Sequence, residues 1–511
     1  MFTTTKSYVL DGLNGFLVEV EVDAQKGLPS LDIVGLPTNA VKESKERVKS
    51  AIKNSGFDYG TYKTVINLAP ADIKKEGSGL DLAIAIGCLT ASGAVVCKHV
   101  NEYVIVGELS LDGTLRKVNG IMPMLISACA DGYGKFIIPY ENAVEASYVA
   151  NAEVYALKNL TEVINLLIGL NFSAVTPAEY KTEKGQNYEV DLKDIKGQLM
   201  AKRALEISVS GGHNMLMCGS PGTGKTMLAK SVIGIMPKMS FEEAVEVTKI
   251  HSISGLINPE EGIVKIRPFR SPHHTASLFS LTGGGMKATP GEVSLAHNGV
   301  LFLDEMPEYA RHTLEALRQP LEDGSITVSR VIKSVTYPAH FMLIASMNPC
   351  PCGYFGSTSG KKCTCTPREI YSYVSKLSGP LLDRIDIYVK VDNIEYGEFR
   401  QKREGESSET VRERVEKARE IQRKRFFGTG IYTNARMNSA QIKEYCSLSF
   451  ESEELLKMVF NKNGLSPRSA TRILKTARTI ADLTGRDNIN FEDIAEAVQY
   501  KIEDKKGIID L

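Results

Sequence analysis

Residues 215–226 read MLMCGSPGTGKT. Gly219, Gly224, Lys225 and Thr226 fit the spacing G-x-x-x-x-G-K-[ST] of a phosphate-cradling loop, with Ser220, Pro221, Gly222 and Thr223 filling it. The chemistry needs these types. Glycines let backbone N–H groups curl around phosphate oxygens, the lysine ammonium reaches the β- and γ-phosphates, and the threonine hydroxyl ligates Mg²⁺. An apolar strand (NMLMC) precedes the loop and a helix (MLAKSVIGI) follows it, which is the context the motif requires.

Working outward, VLFLDE at 300–305 reads as a buried strand ending in two carboxylates. Asp304 suits the Mg²⁺ shell, and Glu305 suits orienting and polarising a water. FMLIASMN is a third apolar strand and places Asn348 at its tip, in reach of a γ-phosphate. DIKGQ at 194–198 suits the wall of an adenine-side pocket or, equally, a plain turn before a helix. Together these predict a nucleotide-binding α/β core with a parallel sheet, using ATP and Mg²⁺.

The rest of the chain divides by composition. Residues 1–172 alternate strand-like and helix-like segments. LNGFLVEVEV alternates apolar and polar, VKESKERVKSAIKNSGF has a helical apolar stripe closed by Gly56, and LDLAIAIGCLTASG reads as a buried helix. Residues 173–189 are polar and read as a linker, 190–395 hold the nucleotide core, and 396–511 are helical, with caps at Asn438 and Asn490. GSITVSRVIKSVTYPAHF (324–341) alternates like a hairpin, with Arg330 and Lys333 near its tip. Cations there could track a phosphate backbone without reading bases; a solvated tip is the plainer alternative. The helix TVRERVEKAREIQRKRFF is strongly basic outside its apolar stripe, which reads as a solvated face or, more weakly, a nucleic-acid face.

Lys plus Arg and Asp plus Glu both number 61, so the field of the whole molecule cannot recruit nucleic acid and only local patches could. No apolar run reaches the roughly 18–20 residues of a membrane span. No secretory leader is expected from MFTTTKSYVLDG, so a cytoplasmic location is expected. In that compartment clustered thiols hold metal or do chemistry more often than they form disulfides. NPCPCGYFGSTSGKKCTCTP (348–367) offers four: Cys350, Cys352, Cys363 and Cys365. Two close pairs across a Gly/Ser-rich loop can converge on one tetrahedral ion, with structural Zn²⁺ the best fit and free thiols the alternative. Four occupied positions leave no open one for water, so metal catalysis is not expected there. His273 and His274 are adjacent, and on an extended chain they would face opposite sides, so no shared metal is expected.

The order of phosphate loop, VLFLDE, strand-tip Asn348 and LLDRID (381–386) resembles the AAA+ ATPases. The long runs RPFRSPHHTASLFSLTGGG, PGEVSLAHNGVLFLDEMPEY, SMNPCPCG and SGPLLDRID resemble the YifB/ComM family of the magnesium-chelatase-related branch, over essentially the whole chain. That resemblance implies Asn348 as sensor 1, Arg384 as an arginine finger acting on a neighbour's nucleotide, and Arg468 as sensor 2 on a C-terminal helical lid. It implies a homo-oligomer, expected to be a hexameric ring. The 324–341 segment is similar to the hairpin that DNA-translocating relatives aim into the ring pore.

Residues 1–172 resemble a Lon-protease-like (S5-like) α+β domain. KKEGSGLDLAIAI falls where that family carries its serine, but Gly79 occupies the place, with Ser78 displaced, and Met122 occupies that of the lysine base. A Ser–Lys dyad needs both groups, so a non-proteolytic module is expected. Three readings follow: a ring-forming DNA helicase or branch-migration motor, a chelatase-type or protein-remodelling ATPase, and an ATP-dependent protease.

Overall fold

The computed structural model describes residues 1–507 apart from 59, 72, 74, 76, 98, 182–187, 286–287, 330–333, 358–360 and 395–404. Contacts divide the chain into two compact units. One comprises Met1–Thr182 together with Ser240–Lys265; the other comprises Glu183–Met239 and Ile266–Leu511.

The first unit is built on a seven-stranded mixed sheet in the order Ser30–Val34, Tyr62–Ala69, Asn14–Lys26, Phe2–Asp11, Tyr103–Ile105, Lys135–Pro139, Glu153–Leu157. The alternation in LNGFLVEVEV has its expected consequence. Val18, Val20 and Val22 are buried, while Glu19 and Glu21 point to the other face. Helix Asp81–Ser92 packs against one side of the sheet, with Val9 and Val20 in its core. Helix Ile121–Ala130 shares a separate core with Tyr8 and Phe136, as period-two alternation between Tyr8 and Val9 demands.

Helix Phe241–Ile253 belongs to this unit although it follows the phosphate loop in sequence. Ser240 and Glu243 form its capping box. It lies on Ile121–Ala130, where the Gly120 N–H donates to the carbonyl and hydroxyl of Ser252 at 3.2 and 3.0 Å.

The second unit carries a five-stranded parallel sheet: Phe269–Arg270, Val300–Leu303, Met342–Met347, Met215–Cys218, Ile387–Lys390. Its strands are near-continuous apolar runs because both faces are covered. Parallel strands aim all their C-terminal ends at one edge, where such sheets bind ligands. Met342–Met347 lies between the phosphate-loop strand and the VLFL strand, so Asn348 emerges between Lys225 and Asp304. The segment before it forms an antiparallel hairpin, Ser325–Ser329 with Ser334–Pro338. Helices Ser408–Arg425, Phe450–Asn463, Pro467–Leu483 and Phe491–Gly507 complete the unit.

Candidate functional site

The phosphate loop runs from Gly219 to the start of helix Lys225–Ile235. Gly222 and Gly224 adopt φ of 82° and 90°, a region that L side chains avoid. Gly219 is required for a different reason: a Cβ there would run into the Val391 carbonyl. The first turn of the helix holds no acidic residue, so its partial positive charge stays available to an anion.

Lys225 is buried, and its ammonium donates to the Gly219 and Ser220 carbonyls at 2.7 and 2.9 Å and to Asn348 Oδ1 at 3.2 Å. Burial lowers its pKa from the usual lysine value, and Asp304 and Glu305 oppose that shift. Thr226 Oγ1 donates to Asp304 Oδ2 at 3.0 Å, so the two groups expected to hold Mg²⁺ are side by side. A hydroxyl and a carboxylate oxygen are the hard donors that this cation takes. Glu305 stands at φ 51°, ψ 50°, in the left-handed region. A non-glycine residue there costs about 1–3 kcal/mol and persists only where surrounding structure imposes it.

Sequence reasoning missed Ser346. Its hydroxyl donates to Asp304 Oδ1, and it accepts the Glu305 N–H at 3.2 Å. It thereby fixes both carboxylate residues from the neighbouring strand. Its position two residues before Asn348, on the same strand face, was the available signal. Gln198 does reach the loop: its Nε2 donates to the Asp392 carbonyl at 2.6 Å and to that of Thr223 at 3.4 Å.

The four sulfurs of Cys350, Cys352, Cys363 and Cys365 lie within 4.8 Å of one another, with close pairs at 3.4, 3.7 and 3.5 Å. Tetrahedral ligation at the Zn–S distance of about 2.3 Å places sulfurs about 3.8 Å apart, so the cluster can hold a metal ion. The separations are far from a disulfide's roughly 2 Å. The Cys352 thiol is pulled down to about 6, chiefly by the Thr364 backbone N–H. The cysteine loop lies on the phosphate loop: a Cβ on Gly353 would sit 2.5 Å from Pro221 Cδ. Pro349, Phe355 and Ser357 also line a cavity of about 400 Å³ shared with Gly219 and Ser220.

Arg384 and Arg468 converge on Glu322, the former through Nη2 and the latter at 3.3 Å. Asp386 instead takes Arg472 and the Asn214 N–H. Burial would raise its pKa, but Arg472 and His213 hold it well below the usual carboxylate range. Arg330 and Lys333, the expected hairpin-tip cations, lie outside the described residues.

Two expectations need correction. His273 and His274 do not face apart: a turn closed by the Ala276 N–H on the His273 carbonyl brings their rings to 4.1 Å. The basic helix Ser408–Arg425 is not simply a solvated face. Arg412 is buried against Tyr188, Arg414 pairs with Glu206 and Glu406, Arg419 donates to the Val209 carbonyl, and Arg425 pairs with Asp482.

In the first unit the Ser78 hydroxyl bonds to Glu108. Met122 is buried, and its backbone N–H donates to Glu145 at 3.1 Å. Among the described residues no helix is long and apolar enough to cross a membrane.

A buried lysine on a glycine loop, beside a hydroxyl–carboxylate pair and a strand-tip amide, defines a P-loop nucleotide site on a parallel sheet. Family comparison agrees. The model described as magnesium chelatase, subunit ChlI matches residues 191–399; related ChlI models match 20–142 and 405–501. The chain is 43% identical to competence protein ComM of Haemophilus influenzae, covering 96% of this chain and 95% of that protein. It is 44% identical to YifB of Escherichia coli, covering 97% and 96%. Lon protease 2 of Bacillus subtilis is 26% identical over 166 residues, about 30% of each chain. The chain belongs to the YifB/ComM family of magnesium-chelatase-like AAA+ ATPases.

Proposed function

We propose that the protein hydrolyses ATP in a homo-oligomeric, hexameric ring and uses the energy to translocate on DNA, as a helicase or branch-migration motor in recombination or uptake of transforming DNA. The observation that carries the ATPase step is the constellation of Lys225, Asn348, Thr226 and Asp304 at one sheet edge. Thr226 and Asp304 would hold Mg²⁺, which when bound supplies charge neutralisation across the β- and γ-phosphates. Lys225 can exchange its loop carbonyls for phosphate oxygens. Asn348 orients the γ-phosphate, and Glu305 polarises the attacking water. Arg384 and Arg468 stabilise charge on the transferring phosphoryl, which is worth orders of magnitude in rate when an arginine acts in trans.

The DNA step is supported by the hairpin preceding the Asn348 strand and by similarity to a protein named for competence. The second reading, a motor that remodels a protein partner as a chelatase subunit would, is favoured by the ChlI family match. Phosphate release and strand displacement with single-stranded or forked DNA at low salt test the two, with Glu305→Gln as control. DNA-stimulated turnover is expected; turnover indifferent to both DNAs overturns the DNA reading.

Residues 1–172 serve as a non-proteolytic Lon-like module. Casein degradation dependent on Ser78 would overturn that. The four cysteines would hold Zn²⁺, and their shared ligation would brace the loop after Asn348 and link γ-phosphate sensing to the subunit interface. Cooperative turnover preserved in Cys363→Ser would overturn this role.

A further inference from the structure

Three segments distant in sequence meet at one carboxylate. Glu322, on the short helix Arg318–Asp323, receives Nη2 of Arg384 on Oε2 and Nη2 of Arg468, at 3.3 Å, on Oε1. The Arg384 side chain is 7% exposed, its Nη1 donates to the Pro380 carbonyl at 2.6 Å, and its Nε is buried without a hydrogen-bond partner. Arg468 and Glu322 remain 44% and 52% exposed. Two guanidinium groups on one carboxylate leave a surplus positive charge at a half-open site. Without the carboxylate the two cations would repel, and each would lose its shared anchor.

Glu322 is also joined to both moving parts of the proposed motor. Two residues on, Gly324 at φ 65° ends the helix, and Ser325 opens the hairpin. The Ala339 N–H closes the hairpin's base on the Gly324 carbonyl at 2.8 Å. On the other side, the Arg384 carbonyl accepts Asn214 Nδ2 at 2.9 Å, and Asn214 Oδ1 accepts the Leu343 N–H at 2.9 Å. Leu343 lies on the strand Met342–Met347, which Asn348 directly follows.

We propose that Glu322 is a positioning residue that holds Arg384 and Arg468 as one cationic unit and links that unit to the base of the hairpin. This rests on the reading of Arg384 and Arg468 as phosphoryl-facing groups. Through this link the hairpin's position sets the geometry of both arginines, so substrate engagement is reported to the hydrolytic step.

The test is steady-state ATP turnover of the full chain, with and without forked DNA, for Glu322→Gln, Glu322→Asp, Arg384→Ala, Arg468→Ala and the double variant E322Q/R384A. Melting temperatures are measured in parallel. Glu322→Gln keeps the shape and removes the charge. It is expected to lower kcat about tenfold with KM changed less than about twofold, the signature of lost transition-state positioning. Glu322→Asp is expected to recover part of that loss, and the DNA-stimulated increment to fall more than basal turnover. The double variant is expected to be no slower than Arg384→Ala, because residues acting as a unit are not additive. Unchanged kcat in Glu322→Gln while Arg384→Ala is crippled overturns the proposal. So do additive losses, or losses that follow a lowered melting temperature and are not recovered by Glu322→Asp. Unaffected turnover in both arginine variants overturns the underlying reading of the arginines, and this proposal with it.

Discussion

In each unit a glycine-bearing turn opens onto a buried helix. In the first, Gly77 at φ 89° leads through Ser78 into Asp81–Ser92. In the second, Gly222 and Gly224 lead into Lys225–Ile235. The backbones are alike in kind, yet the side chains are committed differently. Asp81 brings its own carboxylate to the first turn, where Arg47 Nε at 2.8 Å and the Ser44 hydroxyl hold it, and Ser78 is bound to Glu108. Lys225 is held by loop carbonyls and one amide oxygen, all neutral acceptors that a phosphate outcompetes for a cation. A helix N-terminus becomes a site when its polar groups keep exchangeable partners, and becomes structure when a charge inside the fold has already answered them.

That contrast can be broken by experiment. Lys225→Ala should reduce ATP turnover about a thousandfold, as loss of a preorganised charge at a transferring phosphoryl does. Phosphate release measures this, and a residual rate near wild type would dissolve the distinction between the turns. Asp386→Asn should appear in stability instead, by about 3 kcal/mol at neutral pH, because it strands the Arg472 guanidinium.

The pH dependence has a definite sign. The Asp386 carboxyl is held below its unfolded value, so its contribution is present above about pH 4 and fades as pH falls below it. Denaturant melts from pH 7 to 3 should therefore show a gentler acid decline in Asp386→Asn than in wild type. Cys363→Ser should drop bound metal from about one ion per chain to none by elemental analysis and lower the melting temperature by a few degrees. The smallest effect belongs to the closed turn. Ser78→Ala should change stability by no more than about 1 kcal/mol and turnover by less than about twofold, since it removes a single hydrogen bond, to Glu108. A collapse of turnover there would show that the first unit governs the second.

The phosphate loop, the paired carboxylates and the strand-tip asparagine were legible because each is a contiguous run whose chemistry demands its spacing. The cysteines were legible as two pairs, and the fold then brought them together across the intervening loop. Ser346, Glu322 and Asn214 were not legible, because each acts through a partner 42 to 170 residues away. The same physics misled the reading of Ser408–Arg425. Charge along one helix says nothing of the hydroxyls, carbonyls and carboxylates that tertiary packing presents to it, and four of its arginines meet such groups. Local sequence announces what a side chain can do, and only the fold states what it is already doing.

The excursion Ser240–Lys265 carries a practical consequence for anyone dissecting the protein. The chain passes from one unit to the other three times, after Thr182, Met239 and Lys265. Deleting residues 1–172 would not remove a bead from a string. It would leave behind a helix that has lost Ile121–Ala130, with Val245 stripped of the apolar core it packs on, and a truncated product with that face bare should be sticky and poorly soluble. A clean separation takes three cuts and two joins: the Ser240–Lys265 segment must be joined to the first unit, and a short graft must rejoin Met239 to Ile266 in the second.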